Sequence, residues 1–245
     1  MSESTLTLSA ANYQAVIGFR RGYGRTSGNW STAQSNHVTE LFERALRGFY
    51  WPENGYDWTF LHPITSFNTI VGQRLYGLPD DFGSIEGDIT WKTEISGGIP
   101  IKRVDEEDVR RVRQGVTMTN GRPAWFAVLP AAPSGTVSTR WNLEFERPFD
   151  AVYVLEYQYR VLPGTISSTS VPYGGAAHAE TLMAACLAAV EADMTQGEGV
   201  ERARFVARLA ASIAYDSRLK SPRVGAYGDM SAEDSKKNDL MSSLI

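Results

Sequence analysis

The strongest constraint on the fold of this chain is a change of pattern along its length, from helical spacing to alternation and back. Alternation is clearest over 151–160. Successive side chains of a strand point to opposite faces of the sheet, so this segment predicts a strand with one buried face. The residues expected on that face are aromatic or aliphatic throughout: Tyr153, Leu155, Tyr157, Tyr159 and, next along the chain, Val161.

Helical spacing dominates the regions on either side of this β region. From Thr32 onward, apolar residues recur at i, i+3, i+4 and i+7, and Pro52 with Gly55 ends the pattern. Ser31 or Thr32 is the expected N-cap. Helices are predicted over 9–21, from 32 onward, and over 105–114, 176–195 and 198–219. Strands are predicted over 57–61, 64–70, 73–77, 88–93, 99–103, 124–129, 141–146 and 151–160.

This order predicts an α+β fold with three parts. We expect residues 1–50 and 176–220 to pack as a helical bundle, and 51–175 to form a central antiparallel β module. Residues 221–245 are rich in Gly, Ser and Asp and predict a flexible C-terminal arm. The last two helices are expected to form an α-hairpin, and one of them carries a stripe of mostly small residues that permits close helix packing: Ala203, Val206, Ala210, Ile213, Ala214 and Ser217.

Composition and charge exclude several classes of protein. The 245 residues include 28 acidic and 24 basic side chains, a net charge of −4, which argues against a surface built to hold phosphates tightly. The single cysteine, Cys186, lies in an alanine-rich apolar stretch and is expected to be a buried small hydrophobe. The first ten residues lack the features of a signal peptide, and no apolar run is long enough to cross a membrane. We therefore expect a soluble protein without membrane contact.

The sequence lacks the common motifs of metal-binding, nucleotide-binding and hydrolase sites. The three histidines show no metal-binding spacing, and neither a nucleotide-binding glycine loop nor a G-x-S-x-G elbow occurs. Sequence order alone leaves a Ser-His-Asp triad open. The pairs Asp80–Asp81 and Glu53–Asp57 are candidates for glycoside hydrolysis, although the Asp80–Asp81 pair is better explained as part of a turn. We predict no enzyme activity, no cofactor and no metal.

Two groups of residues are candidates for binding. Arg20, Arg21 and Arg25, with Tyr23 among them, could contact nucleic acid or an interface, or could simply complement a helix dipole. Four tryptophans could stack on sugar rings, which gives an alternative function as a carbohydrate- or receptor-binding β module. That alternative predicts exposed indoles, whereas a structural role predicts mostly buried ones: Trp58, Trp91, Trp125 and Trp141.

A series of segments resembles the head-to-tail adaptor proteins of tailed bacteriophages, and their order matches that family. The resemblance covers roughly residues 30 to 220, and its specificity lies in several segments together. They are LFERALRGFY at 41–50, WP at 51–52, WTFL at 58–61, GQRLYGLPDDF at 72–82, GRPAWFAV at 121–128, LEF at 143–145 and YQY at 157–159.

The resemblance implies a structural virion protein made in the host bacterial cytoplasm and located in the neck between capsid and tail. A ring of subunits, twelve in that family, joins the portal protein to the tail or nozzle. Double-stranded DNA passes through its channel without specific binding. The helical part and the arm would face the portal and the β module the tail, with arm residues anchoring the portal or a neighbour: Arg223, Tyr227, Leu240, Met241, Leu244 and Ile245.

Overall fold

The computed structural model describes residues 7–92, 98–115, 119–132, 140–164, 166–195, 197 and 199–220. Within these ranges the protein is a mixed α+β fold, as the sequence predicts, and it has five helices and two sheets. The predicted arm, 221–245, lies outside the described residues together with its six candidate anchor residues. The helices are α1 (Ala10–Arg20), α2 (Thr32–Tyr50), α3 (Glu106–Gly115), α4 (Ala179–Thr195) and α5 (Val200–Ser217).

The seven strands of the described residues form two sheets. One has the order β1-β7-β3 and is antiparallel; the other has the order β2-β6-β5-β4 and contains one parallel pair, β4 with β5. The strands are β1 (Ile64–Asn68), β2 (Leu75–Gly77), β3 (Phe82–Trp91), β4 (Lys102–Arg103), β5 (Trp125–Ala131), β6 (Arg140–Phe145) and β7 (Val154–Val161).

Strand β7 confirms the alternation seen in the sequence. It is the central strand of its sheet, and every second side chain is buried, beginning with Leu155. The opposite side chains are half-buried, which fits a strand with one face on the core. Aromatic rings from both sheets meet in that core, because Phe67 of β1 packs against Tyr76 of β2 and Phe145 of β6.

Helix α2 begins with a capping box. The Ser31 hydroxyl accepts a hydrogen bond from the backbone N–H of Gln34. The side-chain oxygen of Gln34 in turn accepts one from the backbone N–H of Ser31. Two of the N–H groups that a helix start leaves unpaired are thereby satisfied. The apolar stripe of the helix is buried as predicted: Val38, Leu41, Phe42, Ala45, Leu46 and Phe49.

Helix α4 makes contacts with α1, α2 and α5. Its small side chains allow neighbouring helices to approach closely, and Cys186 is fully buried among them, as expected. Burial raises the pKa of the Cys186 thiol, which keeps the sulfur protonated and unreactive. The buried alanines of this helix are Ala179, Ala184, Ala185, Ala188 and Ala189.

The orientation of α5 differs from the prediction. Its small-residue stripe faces solvent, with only Ile213 partly buried, and the helix instead buries Phe205, Ser212 and Asp216. The reason is that Ser212 and Asp216 find hydrogen-bond partners in the core, so a polar edge of the helix turns inward.

Three predicted strands also need correction. Segment 57–61 contains a 3₁₀ turn, Thr59–Leu61, because a carboxylate from α5 binds the Thr59 amide. Residues 88–91 belong to the longer β3, which pairs with β7 from Phe82 onward, while residue 93 lies outside the described residues. The segment 99–103 contributes only the short β4. Side-chain pattern alone does not report which backbone groups find partners.

Alkaline pH should destabilise the protein through Tyr157. Burial, then the nearby Tyr159 and Asp81, raise the pKa of Tyr157 from 10.0 to about 12. Because only the unfolded state ionises between these values, the contribution of this tyrosine is complete below pH 10 and falls between pH 10 and pH 12. Urea unfolding at pH 9 and pH 11 should show a smaller alkaline loss of unfolding free energy in Tyr157→Phe than in the parent chain. An equal loss in both proteins would contradict this assignment.

Candidate functional site

A buried carboxylate that accepts three hydrogen bonds lies where α5 meets the segment after α2. Asp216, which is 1% exposed, accepts hydrogen bonds from the Tyr56 hydroxyl at 2.9 Å and from the Thr59 amide at 3.0 Å. The Thr59 hydroxyl donates a third. Burial and the Asp216 carboxylate raise the pKa of Tyr56, so the phenol stays a donor. Since a buried carboxylate is tolerated only with such partners, this arrangement ties α5 to residues 56–59.

A buried histidine lies nearby. His178 is hydrogen-bonded through Nδ1 to the Ser212 hydroxyl at 2.7 Å, and both residues are buried. Four aromatic rings lie with centroids 5.1 to 6.0 Å from the imidazole, those of Phe49, Trp58, Phe60 and Tyr215. The sequence left a Ser-His-Asp triad open, and this pair supplies a Ser–His contact of that kind. The contact is enclosed in the aromatic core, where a substrate has no access. This pair organises the core.

A second titratable cluster joins the segment before β1 to the first sheet. His62 Nε2 lies 2.9 Å from Asp57 Oδ2, and His62 Nδ1 lies 2.8 Å from Glu86 Oε1. Arg160 contacts the other Asp57 oxygen at 3.1 Å. One atom from each of Asp57, His62 and Glu86 falls within 4.8 Å of the others, a spacing that can hold a metal ion. Each imidazole nitrogen lies close to a carboxylate, although neither nitrogen makes a hydrogen bond of good geometry, so the arrangement fits a candidate metal site as well as a set of polar contacts between the two segments.

The three arginines of the predicted basic cluster lie in the last turn of α1 and in the residues that follow it. Arg21 pairs with Asp193 of α4 at 3.1 Å, and the Arg25 guanidinium lies 4.6 Å from the centre of the Phe19 ring. Arg20 is exposed in the last turn of α1, where a cation complements the helix dipole. Arg21 and Arg25 thus each contact a group within the fold.

The carboxylates proposed as pairs for glycoside hydrolysis each contact different residues. Asp80 lies 3.5 Å from Arg140, while Asp81 accepts hydrogen bonds from Tyr173 at 2.9 Å and Tyr159 at 3.3 Å. Glu53 pairs with Arg202 at 2.7 Å, and Asp57 belongs to the His62 cluster. Each carboxylate thus stabilises a contact within the fold.

The four candidate tryptophans have different environments. Trp58 is fully buried and donates from Nε1 to the Phe49 carbonyl at 2.9 Å, and Trp141 is half-buried against Phe82. Trp91 and Trp125 line one surface groove, and Trp125 is 39% exposed. Trp91, like Trp141, is half-buried, so the alternative that requires exposed indoles keeps one of its four residues, Trp125.

Sequence analysis missed Asp216, the His178–Ser212 pair and the contacts of His62. A signal for the first two is present: Phe205, Leu209, Ser212 and Asp216 follow helical spacing, so the apolar stripe runs into two polar residues that must be satisfied inside. For His62 the local sequence holds no such signal, because Glu86 comes from a distant strand.

Comparison with known proteins gives no match to a family model and none to a curated protein. In the described part of the chain, no helix is both long and apolar enough to cross a membrane.

Removing the Asp216 carboxylate should be costly. In Asp216→Ala the half-buried Tyr56 hydroxyl and both Thr59 donors lose their acceptor, so we expect the free energy of unfolding to fall by about 2–4 kcal/mol. Urea denaturation measures this. The matched control is Asp88→Ala at an exposed position of β3, where the change should stay within about 0.5 kcal/mol. Equal effects at the two sites would show that Asp216 does not stabilise the fold.

Proposed function

We propose that this chain is a structural virion protein of tailed bacteriophages, a head-to-tail adaptor that forms a ring, of twelve subunits as in that family, between the portal and the tail or nozzle. The resemblance of residues 30–220 supplies the class of assembly. The structural observation that carries the proposal is the exposed apolar stripe on α5, which fits a contact between neighbouring subunits.

The stripe runs nearly the whole length of α5. Val206, in the middle of the helix, is 51% exposed. The other exposed side chains of the stripe are small. A surface helix usually presents charged and polar groups to water, while small side chains let a second helix approach closely. From residue 203 to residue 217 the stripe is about 21 Å long, enough for several turns of a partner helix. All its members except Ile213 are exposed, and Ala207 and Ala211 beside it are exposed as well.

The internal chemistry also supports a structural role. The described polar groups at Asp216 and His178 make hydrogen bonds with partners within the fold. Enzymes instead leave reactive groups in a concave site open to substrate. We infer that buried polar groups here hold elements in place.

The net charge of the chain supports a role in lining a channel through which DNA slides. A ring through which DNA slides should hold few phosphates, since each contact adds affinity. The net charge of −4 agrees with this, and Arg21 and Arg25 already contact Asp193 and Phe19. The proposal includes a helical bundle of α1, α2, α4 and α5 facing the portal, together with the arm 221–245.

A charge placed on the α5 stripe should prevent assembly. We expect Ala210→Glu to stay folded, because the site is exposed, and to bind DNA-filled tailless heads at least about tenfold more weakly, because the contact would bury an unpaired carboxylate. Co-sedimentation with such heads is the measurement. Ala33→Glu, on the exposed first turn of α2, is the matched control. Unchanged binding of Ala210→Glu would refute the role of the stripe.

Removal of the arm tests the other proposed contact. A chain truncated after Pro222 should keep the circular dichroism spectrum and melting temperature of the full chain, since the described core ends before it. It should fail to co-sediment with the same heads. Full joining by the truncated chain would disprove an anchoring role for the arm.

Cryo-EM of the tail vertex of virions that carry this chain is the direct test. The proposal requires a ring of this chain between portal and tail. Its location at a fibre tip, or its absence from the particle, would overturn the adaptor function.

A further inference from the structure

A groove of about 370 Å³ opens between the end of β3 and the start of β5. Its walls include the indoles of Trp91 and Trp125 and the rings of Pro100 and Pro123. Strand β4 forms part of the floor, because Lys102 is the register partner of Trp125. The groove therefore combines flat apolar surfaces at the edge of a sheet.

The aromatic walls are held rigidly. Trp91 donates from Nε1 to the Ile99 carbonyl at 2.8 Å, and its ring meets Tyr153 edge-on at 5.1 Å. Trp125 starts β5, and its neighbour Phe126 is fully buried, which fixes the backbone beneath the indole. A flat ligand that stacks on these faces gains contact area without having to order the side chains.

The charged side chains described in the lining of the groove are basic. Lys102 and Arg122 line it, and no acidic residue is among the described residues that do so. Arg122 is oriented by Tyr153, whose ring centre lies 5.6 Å from the guanidinium and whose hydroxyl lies 3.4 Å from Nε. An oriented guanidinium and an ammonium group beside apolar rings match carboxylates carried on a ring-shaped ligand.

We propose that this groove binds an acidic oligosaccharide, with sugar rings stacked on Trp125 and Trp91 and sugar carboxylates paired with Lys102 and Arg122. Pyranose rings have one largely apolar face of C–H groups, which suits an indole. Duplex DNA fits less well, since two cations in a narrow groove contact few phosphates. This activity is independent of the proposed ring contacts, which use α5.

Isothermal titration calorimetry with the full chain tests the proposal. The probe is the hexamer of galacturonic acid, and the matched ligand is the same hexamer with its carboxylates reduced to alcohols. We expect binding of the acidic form, at least about fivefold weaker binding of the reduced form, and a loss of affinity in 0.5 M salt because the pairs are exposed.

The variants locate the site. Trp125→Ala should weaken binding of the acidic hexamer about tenfold through lost stacking, and Lys102→Ala about threefold. Trp51→Ala is the matched control, because Trp51 is 40% exposed but lies at the end of α2, away from the groove. A circular dichroism melt of each variant shows whether the fold is retained.

Several results would overturn the proposal. They are no measurable binding of the acidic hexamer, equal binding of its reduced form, or equal losses in Trp125→Ala and Trp51→Ala. A hexaglutamate peptide that binds as tightly as the acidic hexamer would assign the groove to an acidic polypeptide instead.

Discussion

The buried carboxylate of Asp216 is the interaction on which the arrangement of helices and sheets depends. It lies near the end of α5 and binds three donors in the segment 56–59, which links α2 to β1. Immediately beyond that segment, His62 contacts Glu86 on β3. One short stretch of chain is thus tied to the last helix on one side and to the first sheet on the other. A buried charge with all its partners is costly to displace, so these elements have one defined relative position.

Around this carboxylate the aromatic residues form a continuous apolar environment. Trp58 packs between Phe49 and Phe60, and the ring of His178 lies against all three. The same cluster of buried residues extends through the two sheets, so helices and strands share one core. Burial of this size supplies the driving force for folding, whereas the few buried hydrogen bonds select which packing forms. Polar residues in the core are therefore explained without catalysis.

The surfaces that remain apolar are on separate elements. The stripe on α5 presents small side chains, which suit another helix, whereas the groove beside β4 presents indoles and cations, which suit a flat anionic ligand. The adaptor proposal and the oligosaccharide proposal therefore assign the two surfaces to different partners.

The sequence by itself determined the α+β class, all five helices, the buried face of β7 and the packing role of Cys186. These features follow from local spacing, which repeats every 3.6 residues in a helix and every two in a strand. Only the tertiary structure decided which donors Asp216 binds, that the α5 stripe faces outward, that 59–61 is a 3₁₀ turn, and that Trp91 and Trp125 share a groove while Trp58 is buried. These outcomes depend on partners far apart in the chain, such as Thr59 and Asp216, and local periodicity carries no information about which distant groups will meet.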